Sequence, residues 1–169
     1  CEQLNICKIN INRMKLLFIF FNLFFINYCF AQNNFTLVFY NVENLMDTVD
    51  EPEKKDDEFT PLGEKKWDSK KYFKKINDLS KVLSSIQNDI LPDIICLSEI
   101  ENKSDLTDLI HSENLKKGMY KILHQESHDV RGIDLAVLYK PDRFKNVSFI
   151  ALPIDYIQKD WYKPRDILY

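Results

Sequence analysis

Two polar residues stand where apolar, strand-forming runs give out. Asn41 follows Val38-Phe39-Tyr40, and Glu99 follows Ile94-Ile95-Cys96-Leu97-Ser98. In open α/β sheets ligands gather outside the strand ends, and an amide oxygen beside a carboxylate supplies the hard oxygen donors that Mg²⁺ or Mn²⁺ takes. Taken singly, Asn41 reads equally well as a turn residue and Glu99 as a helix-entry charge. Together, at two separate strand ends, they favour a metal site. A third cluster is His128-Asp129-Val130-Arg131-Gly132-Ile133-Asp134, which leads into the apolar run Leu135-Ala136-Val137-Leu138-Tyr139. Arg131, ahead of a conformationally permissive glycine, could aim its fork of donors at a phosphate oxygen. It could equally pair with Asp129 or Asp134. His124 and His128 invite a general-base role, but nothing in their spacing supplies an orienting partner, and both read as loop histidines.

The elements that must position these residues are legible in outline. Residues 35–40 form a β-rich run. Residues 69–87 carry Tyr72, Phe73, Ile76, Leu79, Val82, Leu83 and Ile86 at spacings of three and four, which predicts an amphipathic helix capped by Asp68 or Ser69. Pro92 stops continuation, and residues 94–97 read as a continuous apolar strand of the kind buried on both faces. A short helix is expected over 106–110, and strands over 120–123, 133–139 and 147–152. Helix followed by buried strand is the α/β signature. Between them, Asp50-Glu51-Pro52-Glu53-Lys54-Lys55-Asp56-Asp57-Glu58, with Pro61 and Gly63 behind it, reads as a long solvated loop. Its spacing lacks the alternating ligands and central glycine of a calcium-binding EF-hand loop.

With 45% hydrophobic and 29% charged residues in 169, and only 3 Gly and 6 Pro, the chain has the balance of one globular domain. Disordered, collagen-like and multi-span membrane classes are excluded. Met14-Lys15, an apolar core broken by Asn22, and Cys29-Phe30-Ala31 before Gln32 read as a signal peptide over 14–31, cleaved after Ala31. Residues 1–13 then read as upstream or misassigned sequence. The apolar core is shorter than the roughly 20 residues of a membrane span, so no stable span is expected after cleavage and the destination is secreted or periplasmic. Without 1–31 the chain keeps 20 basic and 25 acidic residues, a net charge of −5, and Cys96 as its one cysteine. A disulfide within the piece is therefore excluded. So is binding of nucleic acid by bulk charge, which needs a basic face; phosphate must be met by a local site or a metal. Because Cys1 rather than Met stands first, and Asp166-Ile167-Leu168-Tyr169 stops in an apolar run, a piece of a longer protein is expected.

Three motifs in series carry a resemblance. Phe39-Tyr40-Asn41-Val42-Glu43-Asn44-Leu45-Met46-Asp47, then Leu91-Pro92-Asp93-Ile94-Ile95-Cys96-Leu97-Ser98-Glu99-Ile100-Glu101-Asn102, then Asp129-Val130-Arg131-Gly132-Ile133-Asp134 with the following strand, resemble the N-terminal half of the endonuclease/exonuclease/phosphatase superfamily, and its secreted bacterial branch more narrowly. The resemblance implies an α/β (α+β) fold, a four-layer sandwich of two mixed β-sheets flanked by helices, of which residues 32–169 supply the N-terminal part. It implies a Mg²⁺- or Mn²⁺-dependent hydrolase of phosphate esters, with Asn41 and Glu99 as metal ligands, Glu99 catalytic, and the segment from Arg131 to Asp134 bordering the cleft. Our own reading adds Arg131 as a catalytic phosphate contact and both Arg131 and Asp134 as substrate-binding. The Asp-x-Asn and Asp-His pairs that complete the chemistry in relatives belong to the C-terminal half, so no general base is named and the piece alone is expected to be inactive. A nuclease or phosphodiesterase acting on a phosphoester, DNA or RNA among the candidates, is the first expectation. The alternatives are a phosphomonoesterase of phosphoinositides or small esters, and a non-catalytic secreted binding module. Oligomeric state and substrate identity are not legible.

Overall fold

The structure is a computed structural model that describes residues 34–88, 90–145, 147–154 and 165–169; the signal-peptide reading of 14–31 lies outside the described residues. Strand β1 (Leu37–Leu45) lies parallel to β2 (Ile94–Ile100). The connection between them carries helix α1 (Ser69–Ser85). Beyond β2, helix α2 (Lys103–His111) precedes β3 (Lys121–His124) and β4 (Asp134–Tyr139), and the sheet order is β1-β2-β4-β3 with the last two pairings antiparallel. A second, two-stranded sheet pairs β5 (Ala151–Leu152) with β6 (Ile167–Leu168). The fold is mixed α/β, as expected.

Alternation decides the sheet. Val38, Val42 and Leu45 of β1, Ile95, Leu97 and Ile100 of β2, and Ala136 and Leu138 of β4 are buried in one cluster with Tyr72, Ile76, Leu79 and Leu83 of α1 and Leu106 and Leu109 of α2. The helix begins where Asp68 accepts the Lys71 backbone N–H (2.9 Å), which satisfies one of the open donors of the first turn. Its buried stripe is 72, 76, 79 and 83. Phe73, Val82 and Ile86, read from the sequence as part of the same apolar face, point outward at 56%, 42% and 46% exposure: at 100° per residue Phe73 and Val82 fall off the stripe, and Ile86 lies just past the end of the helix.

Three expectations are revised. Strand β2 is not buried on both faces: Ile95 and Leu97 are enclosed, while Ile94, Cys96 and Ser98 are half-buried. On that second face Leu37 and Phe39 are 44% and 76% exposed. The strand expected over 147–152 is reduced to Ala151–Leu152. The acidic segment is not simply a solvated loop. Asp56 is buried, Asp57–Phe59 forms a 3₁₀ turn that buries Phe59, and Lys55 N–H donates to Val130 C=O (3.0 Å). Trp67 completes the anchor: its indole N–H reaches Met46 C=O (2.9 Å), and its ring packs edge-on to Phe59. No helix among the described residues is long and apolar enough to cross a membrane.

Candidate active site

Asn41 and Glu99 are brought together by strand pairing. Asn41 sits opposite Ser98 in the parallel β1–β2 register, so Glu99 follows at the same sheet end. Neither marks the end of its strand as the sequence suggested; both strands run on, to Leu45 and Ile100, through a bulge. The β1–β2 register shifts after Asn41 and the β2–β4 register shifts between Ser98 and Ile100. Glu43, Asn44 and Glu99 there adopt φ of 55°, 62° and 69°. Left-handed backbone at a glutamate costs on the order of 1 kcal/mol or more and persists where the surroundings over-determine it. Bulges re-aim side chains that a regular pleat would bury. Asn41 Oδ1 accepts the Glu43 N–H (2.8 Å), which fixes the amide oxygen and steadies the turn.

A third residue, absent from the sequence reading, joins them. Arg165 places Nη2 4.0 Å from Glu99 Oε1 and Nε 3.9 Å from Asp129 Oδ2. Asp129, 2% exposed, is also gripped by Arg131, whose Nε and Nη2 donate at 3.0 and 2.6 Å. The ion pair foreseen as the alternative for Arg131 is therefore the contact the structure shows, and it ties the Arg131 loop through Asp129 and Arg165 to Glu99. Gly132 closes this loop at φ 71°, donating its N–H to Asp129 C=O (2.9 Å); a Cβ there would press on the Lys54 side chain at 3.2 Å. The one signal for Arg165 in the sequence is an Arg-Asp pair ahead of an apolar dipeptide, a weaker echo of the Arg131–Asp134 segment.

Asp134 goes elsewhere. It is 1% exposed, accepts the Ser127 N–H (2.8 Å), and meets Nε2 of His124 at 3.0 Å; the His124 side chain is 3% exposed. Burial opposes ionisation of Asp134, but the hydrogen bonds from His124 and Ser127 win and hold its carboxyl below the ordinary value. His124 is thus a strand residue with an orienting carboxylate, not a loop histidine. His128 is on a loop as read, with its side chain 65% exposed and Nδ1 3.3 Å from Asp166 Oδ1.

A cleft of about 410 Å³ opens between β1 and α1, lined by Asn41, Glu43, Trp67 and three lysines, Lys71, Lys74 and Lys75. Lys75 donates to Glu43 C=O (2.6 Å). Burial draws its ammonium below the ordinary value, against the attraction of Glu43 and Glu99. Asp78 also lines the cleft and pairs with Lys74, so Lys71 and Lys75 are the lysines whose charge it does not offset beside Asn41.

Behind the bulges lies a group the sequence did not single out. Asp47, Glu101 and Asp105 each offer a carboxylate oxygen, all within 4.8 Å of one another. Burial, then repulsion from Asp47, Asp105 and Asp56, pushes Glu101 up to about 8 although the Asp47 N–H opposes it; burial pushes Asp105 up to about 7 against the Tyr72 hydroxyl bond. A carboxyl raised in the folded state binds protons that the unfolded chain has released, so stability is greatest below the ordinary values near 4 and is lost as pH rises through 7 and 8. Urea unfolding in EDTA should therefore show the midpoint and the extrapolated unfolding free energy falling between pH 5 and pH 8, the latter by at least about 2 kcal/mol at one pKa unit per 1.4 kcal/mol. A flat or rising midpoint over that interval contradicts it.

A family model described as Endonuclease/Exonuclease/phosphatase family matches residues 36–169. No curated protein and no solved structure matches the chain.

Proposed function

This chain belongs to the endonuclease/exonuclease/phosphatase family, a phosphoesterase- or nuclease-type hydrolase class, and from that premise we propose that it is a secreted, Mg²⁺- or Mn²⁺-dependent phosphodiesterase of nuclease type. The observation that carries the reading is the meeting of Asn41 and Glu99 at paired bulges, with Arg165 against the carboxylate and a lysine-lined cleft alongside.

The donor set fits a divalent cation. Glu99 supplies charge, Asn41 supplies a neutral oxygen already oriented by the Glu43 N–H, and both are hard ligands. When bound, the cation would stabilise negative charge developing on the phosphoryl oxygens. The remaining roles fall to the chain itself. Arg165 orients the Glu99 carboxylate. Lys71 and Lys75 offset the net negative charge where a phosphoester approaches Asn41, Lys74 being paired with Asp78. Arg131, its fork engaged by Asp129, positions the loop and keeps its 53%-exposed side chain at the surface for a substrate phosphate.

We also propose the organisation read from the sequence: export directed by 14–31, and residues 32–169 as part of a four-layer sandwich. The open face of the first sheet supports the sandwich. Phe39, Cys96 and Val137 there line a cavity of about 280 Å³ that Leu168 of β6 already enters, and sheets of this kind pack face to face over such apolar surfaces.

The test is hydrolysis of bis(p-nitrophenyl) phosphate and of plasmid DNA by the full-length protein. Turnover with Mg²⁺ or Mn²⁺ that disappears in EDTA is expected. Absence of hydrolysis of both substrates with either ion would leave the non-catalytic binding module as the reading.

A further inference from the structure

Carboxylates leave water at a large cost unless cations or donors meet them. Asp47, Glu101 and Asp105 come from three different segments: the loop after β1, the residue after β2, and the first turn of α2. Glu101 and Asp105 are 4% and 0% exposed. Among the described residues no lysine, arginine or histidine forms an ion pair with any of the three.

The donors present do not suffice. Asp47 accepts the Val49 N–H (2.6 Å) and the Asn102 amide (3.1 Å), and its own N–H donates to Glu101 Oε2 (2.5 Å). The Tyr72 hydroxyl stands 2.9 Å from both Asp105 Oδ1 and Asp108 Oδ2, yet a phenol has one proton to give. Asp105 Oδ2, the oxygen not taken by Tyr72, is fully enclosed and has no hydrogen-bond partner among the described residues. Asp56 nearby repeats the pattern: its Oδ2 takes the Glu51 N–H (3.0 Å), and its buried Oδ1 has no hydrogen-bond partner among the described residues.

We propose that Asp47, Glu101 and Asp105 hold a calcium ion, distinct from the site at Asn41 and Glu99. The donor set is all oxygen, which disfavours zinc and the softer transition metals. The ligand atoms all lie within 4.8 Å of one another, so a single cation at Ca–O distances of about 2.4 Å can reach all three. Magnesium, which keeps several waters, suits an enclosed carboxylate cage less well. The ion would staple the loop after β1 and the start of α2 to the end of β2, directly behind the bulges that aim Asn41 and Glu99.

The experiment uses full-length protein carrying Glu99→Gln, so that the neighbouring site does not report. After EDTA treatment and dialysis, Ca²⁺ at a hundredfold excess over its dissociation constant should raise Tm by about 5–10 °C. Tb³⁺ should give saturable emission excited through Trp67 and Tyr72, and Ca²⁺ should displace it. Adding Asp105→Asn should abolish both responses; if that variant does not fold, Asp47→Asn, at the half-buried member, should do the same. No Tm rise together with no saturable Tb³⁺ emission overturns the assignment. Full responses retained in a folded Asp105→Asn or Asp47→Asn variant overturn it as well.

Discussion

Glu99→Gln in the full-length protein should lower turnover on the order of a hundredfold or more while leaving the fold intact. The substitution keeps size and shape and deletes one negative charge at the bulged end of β2. Loss of a single preorganised electrostatic group of this kind typically costs that much in rate. Folding should be little affected, because the Glu99 side chain stands at the sheet end with Arg165 4.0 Å away and is not enclosed in the core. Removing it also loosens the hold on Arg165, which retains Asp129 at 3.9 Å. The measurement is kcat at saturating and at limiting Mg²⁺, with Tm recorded on the same samples. Parental activity at limiting Mg²⁺ would remove Glu99 from the metal site.

Asp134→Ala should act on stability. Its carboxylate is buried with His124 and the Ser127 N–H, so alanine leaves an imidazole and an amide without partners at 3% exposure or less for both side chains of the original pair. Breaking a buried pair by removing one member costs about 3–5 kcal/mol, a fall in Tm of about 10 °C in a domain of this size. The sequence reading put Asp134 at the substrate, which would give the opposite pattern. A variant with parental Tm and depressed turnover would restore that role; lowered Tm with unchanged turnover per folded molecule assigns Asp134 to the scaffold.

The sequence by itself located helices α1 and α2 and strands β1 to β4, because that choice rests on neighbours along the chain, though it did not locate where the strands end. Tyr72, Ile76, Leu79 and Leu83 recur with the helical period, and Asp68 stands where the cap must be. Pro92 and the apolar run after it announced the central strand. The three motifs in series were enough to name the family that the match over residues 36–169 shows. The types of Asn41 and Glu99 were enough to mark them as candidate ligands.

Only the tertiary structure decided which residues meet, since those contacts join parts of the chain that local periodicity treats as unrelated. Asn41 and Glu99 lie 58 positions apart in the chain and become neighbours through the parallel β1–β2 register, with bulges that no alternation pattern contains. His124 pairs with Ala136 across the β3–β4 ladder, and its diagonal neighbour on the same face is Asp134; in the sequence the two stand on opposite sides of a polar turn. Arg165 reaches Glu99 and Asp129 by long-range folding alone. Asp47, Glu101 and Asp105 were not marked as a group by the sequence, and they meet as an acidic cluster where the loop after β1, the end of β2 and the start of α2 converge. Burial and charge proximity are properties of the packed chain, and they set the chemistry of each carboxylate after sequence has set its place.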